Sequence, residues 1–161
     1  VYILSQQQEN FLHELAKNKM EFVSMYETDV IFYPGRQTEF YDSGKEKVRL
    51  EELDGIRFIQ NYQDEFFDLG SVQENAFQWR DLDISVLTNS DYIMEKMLKN
   101  SKVSNVSGSY LSENKKGTTP GIPLELGNNK VIFGYIFHKG EKMDDSVEEF
   151  LMFLKGRLPK S

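Results

Sequence analysis

The sequence predicts an α/β protein in which a mixed sheet is flanked by helices. Three observations lead there. Apolar runs alternate with segments of helical period along the 161 residues. The middle runs are short and continuously apolar, the mark of strands covered on both faces. And the chain closes on an apolar strand, a charged turn and an amphipathic helix. No internal repeat and no compositionally distinct second domain is visible, so one domain or a tight pair of small lobes is expected.

In chain order, VYIL (residues 1–4) is the last part of a buried strand. SQQQENFLHELAKNK sets Phe11, Leu12 and Leu15 at helical spacing. MEFVSMYETDVIFYPG reads as Phe22 and Met25 flanking a turn-like YETD, then a strand VIFY (30–33) stopped by Pro34-Gly35. A polar loop, RQTEFYDSGKEK, leads to one short helical turn in VRLEELDG and a strand IRFIQ (56–60). Phe66, Phe67, Leu69 and Phe77 suggest a helix that Gly70-Ser71 interrupts. LDISVL (82–87) is a strand, and TNSDYIMEKMLKN becomes a helix with the stripe Ile93, Met94, Met97, Leu98. VSNVSGSY holds a short strand before the linker SENKKGTTPG. IPLEL, GNNK and VIFGYIF read as two strands around a turn whose Gly and Asn accept a left-handed backbone.

The terminal helix carries the clearest pattern, with Val147, Phe150, Leu151, Leu154 and Leu158 on one stripe. Asp145-Ser146-Val147-Glu148 resembles a capping box. Propensity alone does not hold so short a helix. Burial of its apolar side chains, about 1.5–3 kcal/mol each, is the expected source of stability.

Composition narrows the function. Twelve Phe, eight Tyr and one Trp suit a packed globular core. A net charge of −7 and a pI near 4.9 argue against direct contact with nucleic acid, because the basic residues are scattered. With no cysteine, disulfides and thiolate chemistry are excluded, which fits the cytosol. No apolar run reaches the roughly 20 residues of a membrane span. The chain opens on Val inside an apolar run, and a piece of a longer protein is expected.

Catalytic constellations fail one after another. His13 and His138, the two histidines, lack metal-motif spacing. No G-x-S-x-G elbow occurs, and Val106-Ser107-Gly108-Ser109 has the wrong spacing. Glu51-Glu52 and Asp144-Asp145 read as dipole partners at helix starts. GTTPGIP lacks the ending of a phosphate loop, and Trp79 beside Arg80 is an aromatic at a helix end. No catalytic residue, metal or cofactor is expected, and the chain reads as a non-enzyme.

Two strand tips remain. IRFIQNYQDEF ends in Gln60-Asn61, and SVLTNSDYIM ends in Thr88-Asn89-Ser90. Both place amides, hydroxyls and free helix N–H groups at the carboxyl ends of strands, where open α/β folds bind ligands. Helix capping by Asn89 or Ser90 is the competing explanation.

The order of segments resembles the C-terminal effector-binding domain of LysR-type transcriptional regulators. The similar stretches are VSMYETDVIFYPGRQTEF, VRLEELDGIRFIQ, SVLTNSDYIMEKMLKNSKVSNVSG and KVIFGYIFHKGEKMDDSVEEFLMFLKGRL. The family's Gly-Leu-Gly-Ile run is Asn105-Val106-Ser107-Gly108 here, and its His-Pro-Leu is Gln37-Thr38-Glu39.

The resemblance implies a fold of periplasmic-binding-protein type II, with two α/β subdomains and a small effector between them. Residues of about 34–130 would form the second subdomain. Residues of about 1–33 and 131–161 would be crossovers and part of the first, with VIFY and VIFGYIF bearing the hinge. The first strand and helix of the first subdomain, and a DNA-contacting helix-turn-helix, would lie upstream. The resemblance further implies effector contacts at Ser5, Gln60, Asn61, Thr88, Asn89 and Ser90, with Thr88 and Ser90 foremost. It implies a cytoplasmic bacterial regulator, a homodimer or homotetramer at full length, that senses an organic or amino acid. It would reach DNA only through the upstream domain and would not touch membranes. A solute-binding protein of extracellular or periplasmic location is the alternative, and the terminal strand and helix would be scaffold packing the first subdomain.

Overall fold

The computed structural model describes residues 1–61, 82–109 and 120–158. The helix expected within 64–79, Trp79-Arg80 and most of the SENKKGTTPG linker lie outside them. Within them the element order is β1 (Tyr2–Leu4), a 3-10 turn (Ser5–Gln7), α1 (Gln8–Lys17), β2 (Met20–Tyr33) and β3 (Val48–Arg49). A second 3-10 turn (Leu50–Leu53), β4 (Arg57–Asn61), β5 (Asp83–Thr88) and α2 (Asp91–Asn100) follow. β6 (Asn105–Gly108), β7 (Ile122–Glu125), β8 (Lys130–His138) and α3 (Asp145–Lys155) complete it.

β2 organises the molecule. Its first ten residues pair antiparallel with β8, from Met20–His138 to Asp29–Lys130. Its last four pair antiparallel with β6, from Val30–Gly108 to Tyr33–Asn105, and Ile31 and Phe32 also pair with β7. One strand of 14 residues thus leaves one sheet and enters another between Asp29 and Val30. The turn expected at YETD is absent: those residues are strand, because β8 supplies a continuous partner ladder. A register shift between Ser24 and Tyr26 absorbs Met25. Gly134 sits opposite that bulge, where a Cβ would lie 2.2 Å from the Val23 carbonyl oxygen.

A second correction concerns the return. Gly127, at φ +59°, and the Asn129 N–H to Leu126 carbonyl bond make the turn that the sequence signals. The turn does not fold β7 back onto β8. Both strands run antiparallel to β2, one beyond the other, while β7 also pairs parallel with β3. The jog shifts the chain sideways rather than reversing it.

The first sheet is β1-β8-β2, and α1 covers one face through Phe11 and Leu15 against Ile3 and Ile132. In the second, β4 pairs parallel with β5, and a parallel bridge from Phe58 to Ser104 joins them to β6. There α2 packs Met94 and Leu98 on Ile31, Tyr33 and Ile59. The opposite face holds the main core, in which Phe32, Phe58, Val48 and Val106 meet Leu4 and Val131 from the first sheet. Phe32 meets Phe40 and Phe58 edge-on. The two sheets therefore share packed apolar contacts on one side of the crossover.

α3 departs from expectation. It forms where the periodicity places it, yet none of its residues is buried. Its cap differs too: Asp144 is the N-cap, no side chain caps it, and Asp145 and Glu148 stand in the first turn.

Candidate functional site at the sheet junction

Strand direction gathers the polar residues. β4, β5 and β6 run parallel, so their carboxyl ends lie at one end of the second sheet. β6 is antiparallel to β2, which puts its carboxyl end, Gly108–Ser109, beside Val30 and Thr28. That is the end at which β2 crosses between sheets. The tip of β6 thus meets the crossover, and those of β4 and β5 lie one and two strands further along the same end.

Asn61 pairs in register with Thr88, and Gln60 with Leu87, so the two predicted tips are neighbours. Their side chains carry structural bonds. Gln60 is buried; its Nε2 donates to the Val106 carbonyl at 3.1 Å, and its Oε1 accepts from Asn105 Nδ2. Asn105 Nδ2 also donates to the Ile59 carbonyl at 2.8 Å. Asn105 Oδ1 is a buried acceptor with no hydrogen-bond partner among the described residues, the kind of atom that a trapped water or a ligand donor satisfies. Thr88 Oγ1 accepts the Ser90 N–H at 3.1 Å, and Ser90 Oγ, the N-cap of α2, accepts the Ile93 N–H at 3.4 Å. Asn89 is exposed. Capping is therefore real for Ser90, and it fixes the helix N-terminus beside Asn61.

Ser5 sits at the junction from the other side. Its hydroxyl accepts the Lys130 N–H at 3.0 Å and donates to Asn129 Oδ1 at 3.5 Å. Because β1 ends at Leu4, opposite Val131, the chain enters α1 next to the start of β8.

At the crossover lies an open depression of about 420 Å³, lined by the Tyr26–Asp29 run, Ile31, Ser109 and Lys130 and by none of Ser5, Gln60, Asn61, Thr88, Asn89 or Ser90. That volume falls among small-molecule sites. Lys130 Nζ pairs with the Asp29 carboxylate, both partly exposed. The Ser109 N–H donates to Thr28 Oγ1 at 2.8 Å, and Thr28 Oγ1 donates to the Asp29 carbonyl at 2.9 Å. The approach is close: a Cβ on Gly108 would meet Thr28 Cγ2 at 3.0 Å. The lining offers two carboxylates, one ammonium, hydroxyls, a phenol ring and an aliphatic wall. These groups can hold a small polar molecule. They contain no activated nucleophile, and no cluster of metal-ligating side chains occurs among the described residues.

Sequence reasoning missed Thr28, Asp29, Ser109 and Lys130. Thr28 meets Ser109 across 81 positions and Asp29 meets Lys130 across 101. No local spacing announces such pairs.

No family model matches the sequence, and no curated protein matches it. Solved structures do. The chain is similar to full-length CbnR complexed with its target DNA (TM-score 0.59, 13% identity), covering 86% of this chain and 46% of that one. It is similar to the CcmR regulatory domain of Synechocystis PCC6803 in complex with 2-PG (TM-score 0.57, 10% identity), covering 94% and 80%. It is also similar to the oxidized form of OxyR (TM-score 0.54, 12% identity), covering 95% and 77%. This chain spans about half the length of full-length CbnR. The three are LysR-type regulators. The fold is therefore that of a LysR-type regulatory domain, a periplasmic-binding-protein type II-like α/β architecture. No helix among the described residues is long and apolar enough to cross a membrane.

Proposed function

We propose that this chain is the ligand-sensing part of a LysR-type transcription regulator, and that it binds a small metabolite in the crevice between its two sheets without transforming it. One observation carries the reading. The carboxyl end of β6 meets β2 where that strand changes sheets, the ends of β4 and β5 follow it along the same end of the sheet, and an open depression of about 420 Å³ lies at the crossover. The fold shared with the CcmR regulatory domain, whose structure contains 2-PG, supports it.

Ser5, Gln60, Asn61, Thr88, Asn89 and Ser90 form the rim in this reading, and Thr28, Asp29, Ser109 and Lys130 form the floor. Gln60, Thr88, Ser90 and Ser5 act chiefly by setting backbone N–H and carbonyl groups in place, because their side chains are already bonded. Asn89 is exposed and can turn toward a ligand, and Lys130, paired with Asp29 at the surface, can exchange that partner for a ligand anion. An organic acid or amino acid suits this mixture of donors, acceptors and both charges. Residues of about 34–130 move as the second body against 1–33 and 131–161. Ligand contacts made on both sides favour one arrangement over another, a shift in population that requires no chemistry. In the cytoplasm of a bacterium, a homodimer or homotetramer would pass that shift to DNA through a helix-turn-helix outside this chain.

A thermal-shift screen of small metabolites on the 161-residue protein tests this. A stabilising compound is expected, and Asn89→Ala and Lys130→Met should each weaken it about tenfold, roughly 1.4 kcal/mol. The unliganded melting temperature should barely move, because both side chains are exposed. Binding that ignores both substitutions, or turnover of the compound, contradicts the reading.

A further inference from the structure

The lining of the crossover depression is ordered along one strand. Side chains two residues apart in a strand share a face, so Glu27, Asp29 and Ile31 follow one another along β2. Lys130 is the register partner of Asp29 on β8, and its ammonium pairs with the Asp29 carboxylate. Glu27 and Asp29 are exposed, whereas Ile31 is buried. A charged end thus passes into an apolar end over roughly 13 Å of strand.

The charge of the lining is unbalanced. Two carboxylates stand against one ammonium, and that ammonium already faces Asp29, so one negative charge is in surplus. The whole chain, at −7, adds to the same sign. Such a field holds off an organic anion and favours a ligand that brings a positive group.

Resting on the reading of the crossover as the ligand site, we infer that the ligand is an α-amino acid with an apolar side chain, rather than an organic acid. Its ammonium lies between the Glu27 and Asp29 carboxylates, its carboxylate takes Lys130, and its side chain runs toward Ile31. Every charge then has a partner. Lys130 exchanges one carboxylate for another, and Asp29 receives the ligand ammonium in place of Lys130. An organic acid would give Lys130 the same carboxylate but would leave both Glu27 and Asp29 without a cation, a cost that grows as water leaves the crevice.

Isothermal titration calorimetry on the 161-residue protein tests this. The probes are L-leucine and L-phenylalanine beside isocaproate and hydrocinnamate, the same molecules without the ammonium. At least one amino acid is expected to bind, and its ammonium-free analogue at least about tenfold more weakly. Glu27→Gln, at an exposed position, should weaken the amino acid about tenfold without weakening the analogue, so that the discrimination narrows. Lys130→Met should weaken both. An analogue that binds as well as its amino acid, with Lys130→Met weakening the pair, overturns the amino acid and leaves the sensing crevice standing. No saturable binding of either amino acid, or binding that ignores Glu27→Gln alone, overturns the inference equally. Binding that ignores Glu27→Gln and Lys130→Met alike removes the crossover site itself.

Discussion

α2 and α3 resemble each other as sequences and differ as structures. Each is an amphipathic helix of ten or eleven residues with an acidic first turn and a lysine in the last. α2 has Ser90 as a side-chain cap and lies on a finished surface, with Leu98 at 1% exposure among Ile31, Tyr33 and Ile59. α3 has no side-chain cap and leaves Phe150 and Phe153 more than half exposed. Periodicity specifies that a helix has an apolar face. It does not specify what the face meets. The strands around α2 all belong to this chain, whereas the complement of α3 does not appear among the described residues.

The difference can be broken by mutation. Leu98→Ala should cost about 2–5 kcal/mol in a urea melt, the range for a cavity in a packed core. Phe150→Ala in dilute protein should stay within about 0.5 kcal/mol, as at a surface site. Equal losses would mean that α3 is covered in the monomer. Next in size is Gln60→Ala, which removes the amide donor to the Val106 carbonyl and one of the two acceptors of the Asn105 amide in a buried setting. A loss of about 1–3 kcal/mol is expected by the same melt.

The caps sharpen the comparison further. Ser90→Ala should cost about 1 kcal/mol and Ser90→Gly only a few tenths. Asp144→Ala should cost less than Ser90→Ala, because the Asp144 side chain bonds no helix N–H. The smallest effect is one of pH. The Arg49 backbone N–H, then Lys45, holds the Glu52 carboxyl below its ordinary value. A lowered folded-state value gives stability that is present above the ordinary carboxylate range and is lost as pH falls through the lowered value. Glu52→Gln should therefore flatten the acid side of a melting-temperature profile slightly. An unchanged profile would show that these exposed bonds do not persist in solution.

Much of this fold was legible in the sequence, and the reason is local. The strands at 57–61 and 83–88, α2, and the site of α3 follow from short apolar runs and helical stripes. The sequence also signalled that Gln60-Asn61 and Thr88-Asn89-Ser90 sit at strand tips, and the parallel register of β4 and β5 makes them neighbours. What stayed hidden depends on distant pairing. Tyr26-Glu27-Thr28-Asp29 reads as a turn because its polar residues resemble one, and it is strand only because β8 pairs with it. Gly127 announces a turn correctly but not that the strand beyond it runs on in the same direction. The floor of the candidate site belongs to this second class, since its Thr28–Ser109 and Asp29–Lys130 contacts join elements far apart in the chain.

The most direct test of a sensing crevice at the β2 crossover is an amide NMR titration of the 161-residue protein with a stabilising metabolite. The account predicts saturable shifts gathered at Thr28, Asn61, Asn89, Ser109 and Lys130, with the signals of α3 unmoved. Shifts confined to α3 or to the β3 edge, with the crossover silent, would contradict it.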